Sequence, residues 1–389
     1  MALIPKITDV YVSLDTTHPQ TTVGLKNPAI FVRGDSEGYK EYQTLDALEA
    51  DYDATTSVYR KAQTMFDQAD YPELVAVITF TGDSPAPVSI QAPAPANLKA
   101  TPTDDGAVIT ADKVDNSNNG DPNAIPASGV GKAAADYFYN NWEFAILADY
   151  NKADAIALAD IIEHGGYDGK GFHIYFQQFG ADNAKDKPSF DSYSRTYPLY
   201  HTNTSEEYAA ALAAQGAQGI IGQVSWKFVS GLVDVTPESL PNSQIIDLEK
   251  QGFILYVTKG ATGVANQTDD KNAAGMYIDT VHGMDFVKSN VETNLQNTLN
   301  TAGKVPFDAQ GLGMISASLE GSLSTAYSQG IVATDLNNGK AMYSTSVPSI
   351  NQIRITDWVK RDLKGVKFSY TPSNAVNEIH VNGDVAEAV

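Results

Sequence analysis

The stretch from Ala274 to Asn300, closed by Thr301-Ala-Gly-Lys-Val-Pro-Phe307, constrains this 389-residue chain most. Val287, Val291, Leu295 and Leu299 recur at every fourth position, and Met284 lies one turn earlier. That spacing predicts one buried face of a long amphipathic helix. Asp279 and Thr280 are the expected caps at its start, and Gly303 and Pro306 stop it. Ala309 to Gln329 repeats the signal with Leu312, Ile315, Leu319 and Leu323, so a second helix is expected to pack on the first.

The first helix also carries the chain's most suggestive polar residues. Asp279, His282 and Asp285 are spaced three apart and fall near one face, where a His between two carboxylates resembles a metal or acid–base site. Yet Asp279 stands where a first-turn acid is expected, and the other two can be satisfied by each other or by backbone. No second His stands four residues away to complete an HExxH pair. A structural role is the expectation for all three, together with Val287, Val291 and Leu295 on the apolar face.

Elsewhere strands and helices alternate. Pro28 to Gly34 and Leu74 to Phe80 read as buried strands, separated by helices over Tyr42–Tyr52 and Thr56–Ala69 with Thr44 as a candidate cap. After Lys132–Trp142 (helix), the order continues with Phe144–Ala148 (strand), Asn151–His164 (helix), Phe172–Phe176 (strand) and Ser205–Ala214 (helix). Gly219–Ser225 (strand), Ser243–Gln251 (helix) and Phe253–Val257 (strand) complete it. Such alternation predicts parallel βαβ units in a layered α/β unit. Between Gly82 and Gly131 seven prolines and the polar run Asp115–Asn123 mark an insertion, with one or two strands over Leu98–Ile109. Asp115, Ser117, Asn119 and Gly120 imitate the opening of a calcium loop, but Pro126 stands where its bidentate Glu is required. Residues 331–349 read as loop, with a turn at Asn337-Asn-Gly.

Several functions are excluded at this level. A formal charge of -21 disfavours nucleic acid and anionic membranes as partners. The chain has no cysteine, hence neither disulfides nor a thiolate metal site. Walker A and GxSxG motifs are missing, and Gly165–Gly171 follows a helix and precedes a strand, the reverse of a phosphate-binding turn. His164, His173 and His201 lack a recognisable nucleophile setting, so structural roles are expected for them. No catalytic residue, cofactor or metal is expected. The first residues show no secretory pattern and no stretch approaches a membrane span, so folding in a cytoplasm is the expectation.

The run Tyr277-Ile-Asp-Thr-Val-His-Gly-Met-Asp-Phe-Val-Lys-Ser-Asn-Val-Glu-Thr-Asn-Leu-Gln296, followed by Lys304-Val-Pro-Phe307, resembles the corresponding helix of contractile tail sheath proteins of bacteriophages, in particular the sheath-like group from phages of Gram-positive hosts. The strand, Tyr-x-x-Leu-Asp, helix and return strand over 28–80 resemble the same family in a second region. The resemblance implies a multidomain α/β and α+β chain. It would consist of an N-terminal arm (1–20), a protruding α/β domain (21–81 and 132–270), an inner assembly domain (271–375) and a C-terminal arm (376–389), while 82–131, outside the resemblance, is a Pro/Asn-rich insertion or small β-subdomain. It further implies a virion protein assembled in the host cytoplasm as hexameric rings stacked helically around a tail tube protein. Baseplate and tail terminator proteins would be its other partners.

A terminal strand with too few apolar residues for a core of its own must either pair within its own fold or be donated to another sheet; on the family reading Ile4, Ile7, Val10 and Val12 form one donated strand, and the alternating Ile379, Val381 and Val385 another. Arg354, Lys360, Arg361, Lys364 and Lys367 gather positive charge in an acidic chain, either as a solvated helix face or as a contact patch for an acidic tube or neighbour. The rival readings are a surface adhesin or glycan-binding module, drawing on the 20 tyrosines, and an Asp/His hydrolase centred on His282.

Overall fold

The computed structural model describes residues 24–84, 98–103, 106–111, 126, 128–165 and 171–381. The first part holds β1 (Pro28–Arg33), β2 (Gly38–Tyr42), α1 (Leu45–Glu49), α2 (Ser57–Phe66) and β3 (Val75–Phe80). A hairpin of β4 (Leu98–Thr103) and β5 (Gly106–Ala111) follows. Next come α3 (Gly129–Asp136), β6 (Phe144–Leu147), α4 (Lys152–His164), β7 (Ile174–Phe179), β8 (Thr196–Tyr200), α5 (Tyr208–Ala217), α6 (Asn242–Lys250), β9 (Ile254–Thr258) and β10 (Ala265–Gln267). The last part holds α7 (Ile278–Thr301), α8 (Ala309–Ser328), β11 (Tyr343–Ser346), α9 (Ile355–Lys360) and β12 (Lys367–Tyr370).

One eight-stranded sheet, ordered β10-β9-β8-β7-β6-β1-β3-β2, is the centre of the molecule. Its six inner strands are parallel, while β10 and β2 run antiparallel at the edges. Parallel strands need helical crossovers, and those helices cover both faces. Ile30, Val75 and Val77 point to the face covered by α2, α5 and the start of α7; Ala29, Phe31, Ala76 and Ile78 point to the face covered by α3 and α4. This is a three-layer α/β/α arrangement. Side-chain caps start several helices where the residue types predict: Thr44 accepts from the Ala47 N–H, Thr56 from Tyr59, and Asn151 from Ala153 and Asp154.

A third apolar cluster lies beside the sheet. Val287 and Val291 of α7 pack on Leu319, Leu323 and Ala326 of α8, with Ile331 and Val332 behind them. Gly311 permits the close entry to α8, since a Cβ there would lie 1.9 Å from the Pro306 carbonyl oxygen.

Several expected elements are different. Gly219–Ser225 is not a strand: Gly222 has φ of +92°, and Ile221 turns into the α7–α8 cluster instead. The helix expected from Ser205 begins at Tyr208, and no side-chain cap forms. Tyr277, not Asp279 or Thr280, occupies the cap position of α7, so Asp279 lies inside the first turn. Residues 331–349 contain β11, and 38–42 form β2. The calcium-like run 115–123 lies outside the described residues.

Candidate assembly surfaces

The helix α7 is tied to the sheet by charges buried at its N-terminal half. Asp285 receives two bonds from the guanidinium of Arg195, at 2.7 and 2.9 Å, and Arg195 also donates to the His173 carbonyl at 3.1 Å. Both side chains are almost fully buried. Glu143 lies beside this pair, and burial together with the Asp285 charge pushes its carboxyl well above the usual carboxylate range. Burial pushes Asp285 up as well while Arg195 pulls it back, so the single negative charge resides on Asp285, opposite its cation.

The other two polar residues of the helix turn elsewhere. His282 is buried and donates from Nε2 to the Leu25 carbonyl at 2.6 Å; burial lowers its pKa to about 4, so the ring is neutral. Asp279 accepts from the Thr280 hydroxyl at 3.2 Å, and burial raises it. Asp279, His282 and Asp285 therefore do not converge on a common point but serve three separate contacts. No group of three or more metal-ligating side chains occurs among the described residues. Val287 and Val291 are buried and Leu295 is half-buried, whereas Leu299 emerges to 37% exposure, so the period-four stripe runs from the core out to the surface.

His201 forms a separate latch. Its ring reaches Glu238 at 2.6 Å through Nδ1 and Glu206 at 2.9 Å through Nε2, and the two carboxylates are held in turn by Thr202, Asn203 and Thr236. Burial lowers His201, but the bonds to Glu238 and Glu206 outweigh it and raise the ring above its ordinary value.

Open strand edges and many of the exposed apolar residues lie between residues 343 and 381. β11 and β12 pair antiparallel from Tyr343–Tyr370 to Ser346–Lys367 and form a two-stranded sheet apart from the large one. Among the described residues neither strand has a second strand partner, so both outer edges offer unpaired main-chain groups. Alternate residues of each strand are half-buried and exposed, and Tyr343, Phe368 and Tyr370 pack towards the α7–α8 cluster.

The C-terminal strand expected over Asn377–Val385 lies partly outside the described residues. Residues 373–381 belong to no strand, and Ile379 and Val381 are 79% and 82% exposed. The alternation is present, a lone strand is unstable in water, and among the described residues this segment is paired with none of the sheet edges. Ile4, Ile7, Val10, Val12 and Val385 lie outside the described residues.

The basic cluster is partly neutralised. Arg354 bonds Asp357 at 2.7 Å across one turn of α9, and Lys364 lies 3.0 Å from Asp362. Lys360, Arg361 and Lys367 are exposed without an ion pair among the described residues, and Arg361 ends α9 with φ of +59°. Beside them Ile355, Trp358 and Val359 are 79%, 57% and 67% exposed, an apolar face that the charge pattern had concealed. It is legible in hindsight as the uncompensated half of a short amphipathic helix.

No family model matches this sequence, and no curated protein matches it in sequence. Solved structures do match in fold. A chain of the anti-feeding prophage helical sheath in its contracted state superposes with a TM-score of 0.59 at 11% identity, covering 98% of this chain and 99% of that one. This chain has a tail-sheath fold. A chain from the six-fold symmetrised baseplate of the same anti-feeding prophage is similar at TM-score 0.62 and 10% identity, over 99% of this chain and all of that one. A sheath tail protein of Desulfitobacterium hafniense reaches TM-score 0.49 at 11% identity, over 87% of this chain and 93% of that one. The likeness to the two anti-feeding prophage chains covers 98% and 99% of this chain, so it is not confined to the eight-stranded sheet.

Proposed function

We propose that this chain is a structural subunit of a contractile tail sheath, assembled as hexameric rings stacked around a tail tube and located in a phage or phage-like tail. The observation that carries the reading is the end-to-end likeness to a subunit of a contracted helical sheath, covering 98% of this chain. In this reading 21–81 and 132–270 form the protruding part, 271–375 the inner assembly part, and the terminal arms 1–20 and 376–389 link neighbours. Contraction would drive the tube into a host envelope, and tube, baseplate and terminator proteins are the partners to seek.

The open edges of the β11–β12 sheet and the exposed, alternating Ile379 and Val381 support linkage by strand addition. Each main-chain hydrogen bond contributes about 1 kcal/mol net, so one arm holds weakly. Repetition around a ring and along a stack makes the total large. The exposed Lys360, Arg361 and Lys367 beside Trp358 suit contact with acidic surface on a tube or neighbour. Deleting residues 1–20 or 376–389 is the test. Folded monomers that no longer form tubes are expected by electron microscopy; normal tubes without both arms would refute the reading.

A further inference from the structure

Among the described residues the chain after β12 is attached to the body at two main places. The Ser373 N–H donates to the Ile331 carbonyl at 2.8 Å, beside α8. The second attachment is Asn377, the only half-buried side chain between Ser373 and Val381. Its Nδ2 donates to Asp270 Oδ1 at 3.1 Å, and its Oδ1 lies 3.5 Å from the Ser225 hydroxyl. Glu378 adds a long ion pair of 3.8 Å to Lys227. Asp270 is 1% exposed, and its backbone carbonyl receives the Ile278 N–H at the start of α7. The tail, the segment before α7 and the turn around Ser225–Lys227 therefore meet at one buried carboxylate.

We propose that Asn377 and Asp270 form a releasable clasp that fixes the root of the C-terminal tail to the body of its own subunit and holds residues 374–377 as reserve length. The inference rests on the reading of the tail as a linking arm. With the clasp closed, Asn377 is the last firm tether among the described residues. With it open, the last tether is Ser373, and four further residues can extend by up to about 14 Å in total. A tail that links two subunits gains from such slack when the distance between them changes.

The surroundings of Asp270 make the clasp weak enough to open. One amide donor is a small part of what an ionised, buried carboxylate requires, and Asp270 Oδ2 has no hydrogen-bond partner among the described residues. Asp279 and Asp269 face it with like charge, Lys259 and the Lys227 main chain with opposite polarity, and the Tyr197 hydroxyl lies within electrostatic reach. Burial, with Asp279 adding to it, pushes Asp270 up to about 6, and the Asn377 bond opposes that rise. By linkage, docking of Asn377 favours the ionised form, so protonating Asp270 weakens the clasp. The tail is expected to loosen as pH falls through about 6.

Because the chain has no cysteine, a nitroxide on Val381→Cys reports the tail alone. At pH 7.5 Asn377→Ala should narrow the label's spectrum and speed proteolysis of the tail at least severalfold, with the midpoint of thermal unfolding unchanged. The parent protein should shift towards the same spectrum at pH 5, whereas Asp270→Asn, which keeps an acceptor but no titrating charge, should lose that response. An unchanged spectrum in Asn377→Ala would overturn the clasp. If the spectra respond but tubes form normally without 376–389, the clasp stands and the arm reading fails; if truncation abolishes tubes and the spectra do not respond, the reverse holds.

Discussion

Replacing Arg195 with methionine removes the cation from the buried pair that ties α7 to the sheet. Asp285 then loses two charge-assisted bonds and the His173 carbonyl loses its donor. The orphaned carboxyl can escape by taking up a proton. From an ordinary aspartate value, that costs about 1.4 kcal/mol per pH unit, or about 4 kcal/mol at pH 7. The figure agrees with the roughly 3–5 kcal/mol expected when one member of a buried pair is removed. At pH 5 the same escape costs about 1.5 kcal/mol, so the difference from the parent should shrink by about 2–3 kcal/mol. Urea unfolding of parent and variant at both pH values measures this through the midpoint at constant slope. Arg195→Met combined with Asp285→Leu should recover most of the loss, because no charge is left stranded. A loss below about 1 kcal/mol at pH 7, or one equal at both pH values, would refute the claim that this pair holds an ionised Asp285.

Three further outcomes are expected. His201 has a raised folded pKa, so its contribution to stability is full below the ordinary histidine value of about 6.5 and is lost as pH rises through the raised value. Thermal midpoints from pH 6 to 9 should fall in the parent and stay flatter in His201→Gln. Gly311→Ala brings a Cβ to 1.9 Å from the Pro306 oxygen and should cost about 1–3 kcal/mol, whereas Gly313→Ala, with nothing within 4 Å, should be neutral or stabilising by up to about 1 kcal/mol. Reversing Lys360 and Arg361 to Glu should leave stability within about 0.5 kcal/mol but impair assembly or its salt dependence, as read by sedimentation.

The parts of the fold that were legible are those whose partners lie close in the chain or whose burial is one-sided. Ile30, Val75 and Val77 announce buried strands, and Thr44, Thr56 and Asn151 announce helix starts. β8 escaped because Pro198 sits inside it, opposite Gln177, where proline argues against a central strand. β11 escaped because Tyr343-Ser-Thr-Ser carries little apolar signal and is defined only by pairing with β12. At the candidate site the helical spacing of Asp279, His282 and Asp285 was correct, but their partners were invisible. Arg195 is 90 residues from Asp285, and Leu25 is 257 residues from His282. The exposed tail shows the opposite limit: Ile379 and Val381 alternate as a strand should, yet alternation alone does not name the edge they would pair with, and they are paired with none in the single chain.

Electron microscopy of the purified full chain across rising concentration and salt tests the central claim most directly. A sheath subunit should give stacked rings or striated tubes, and images of them at sufficient resolution should show added strands on the β11–β12 sheet. A chain that stays monomeric under every condition, or tubes in which that sheet keeps two strands, would contradict the account.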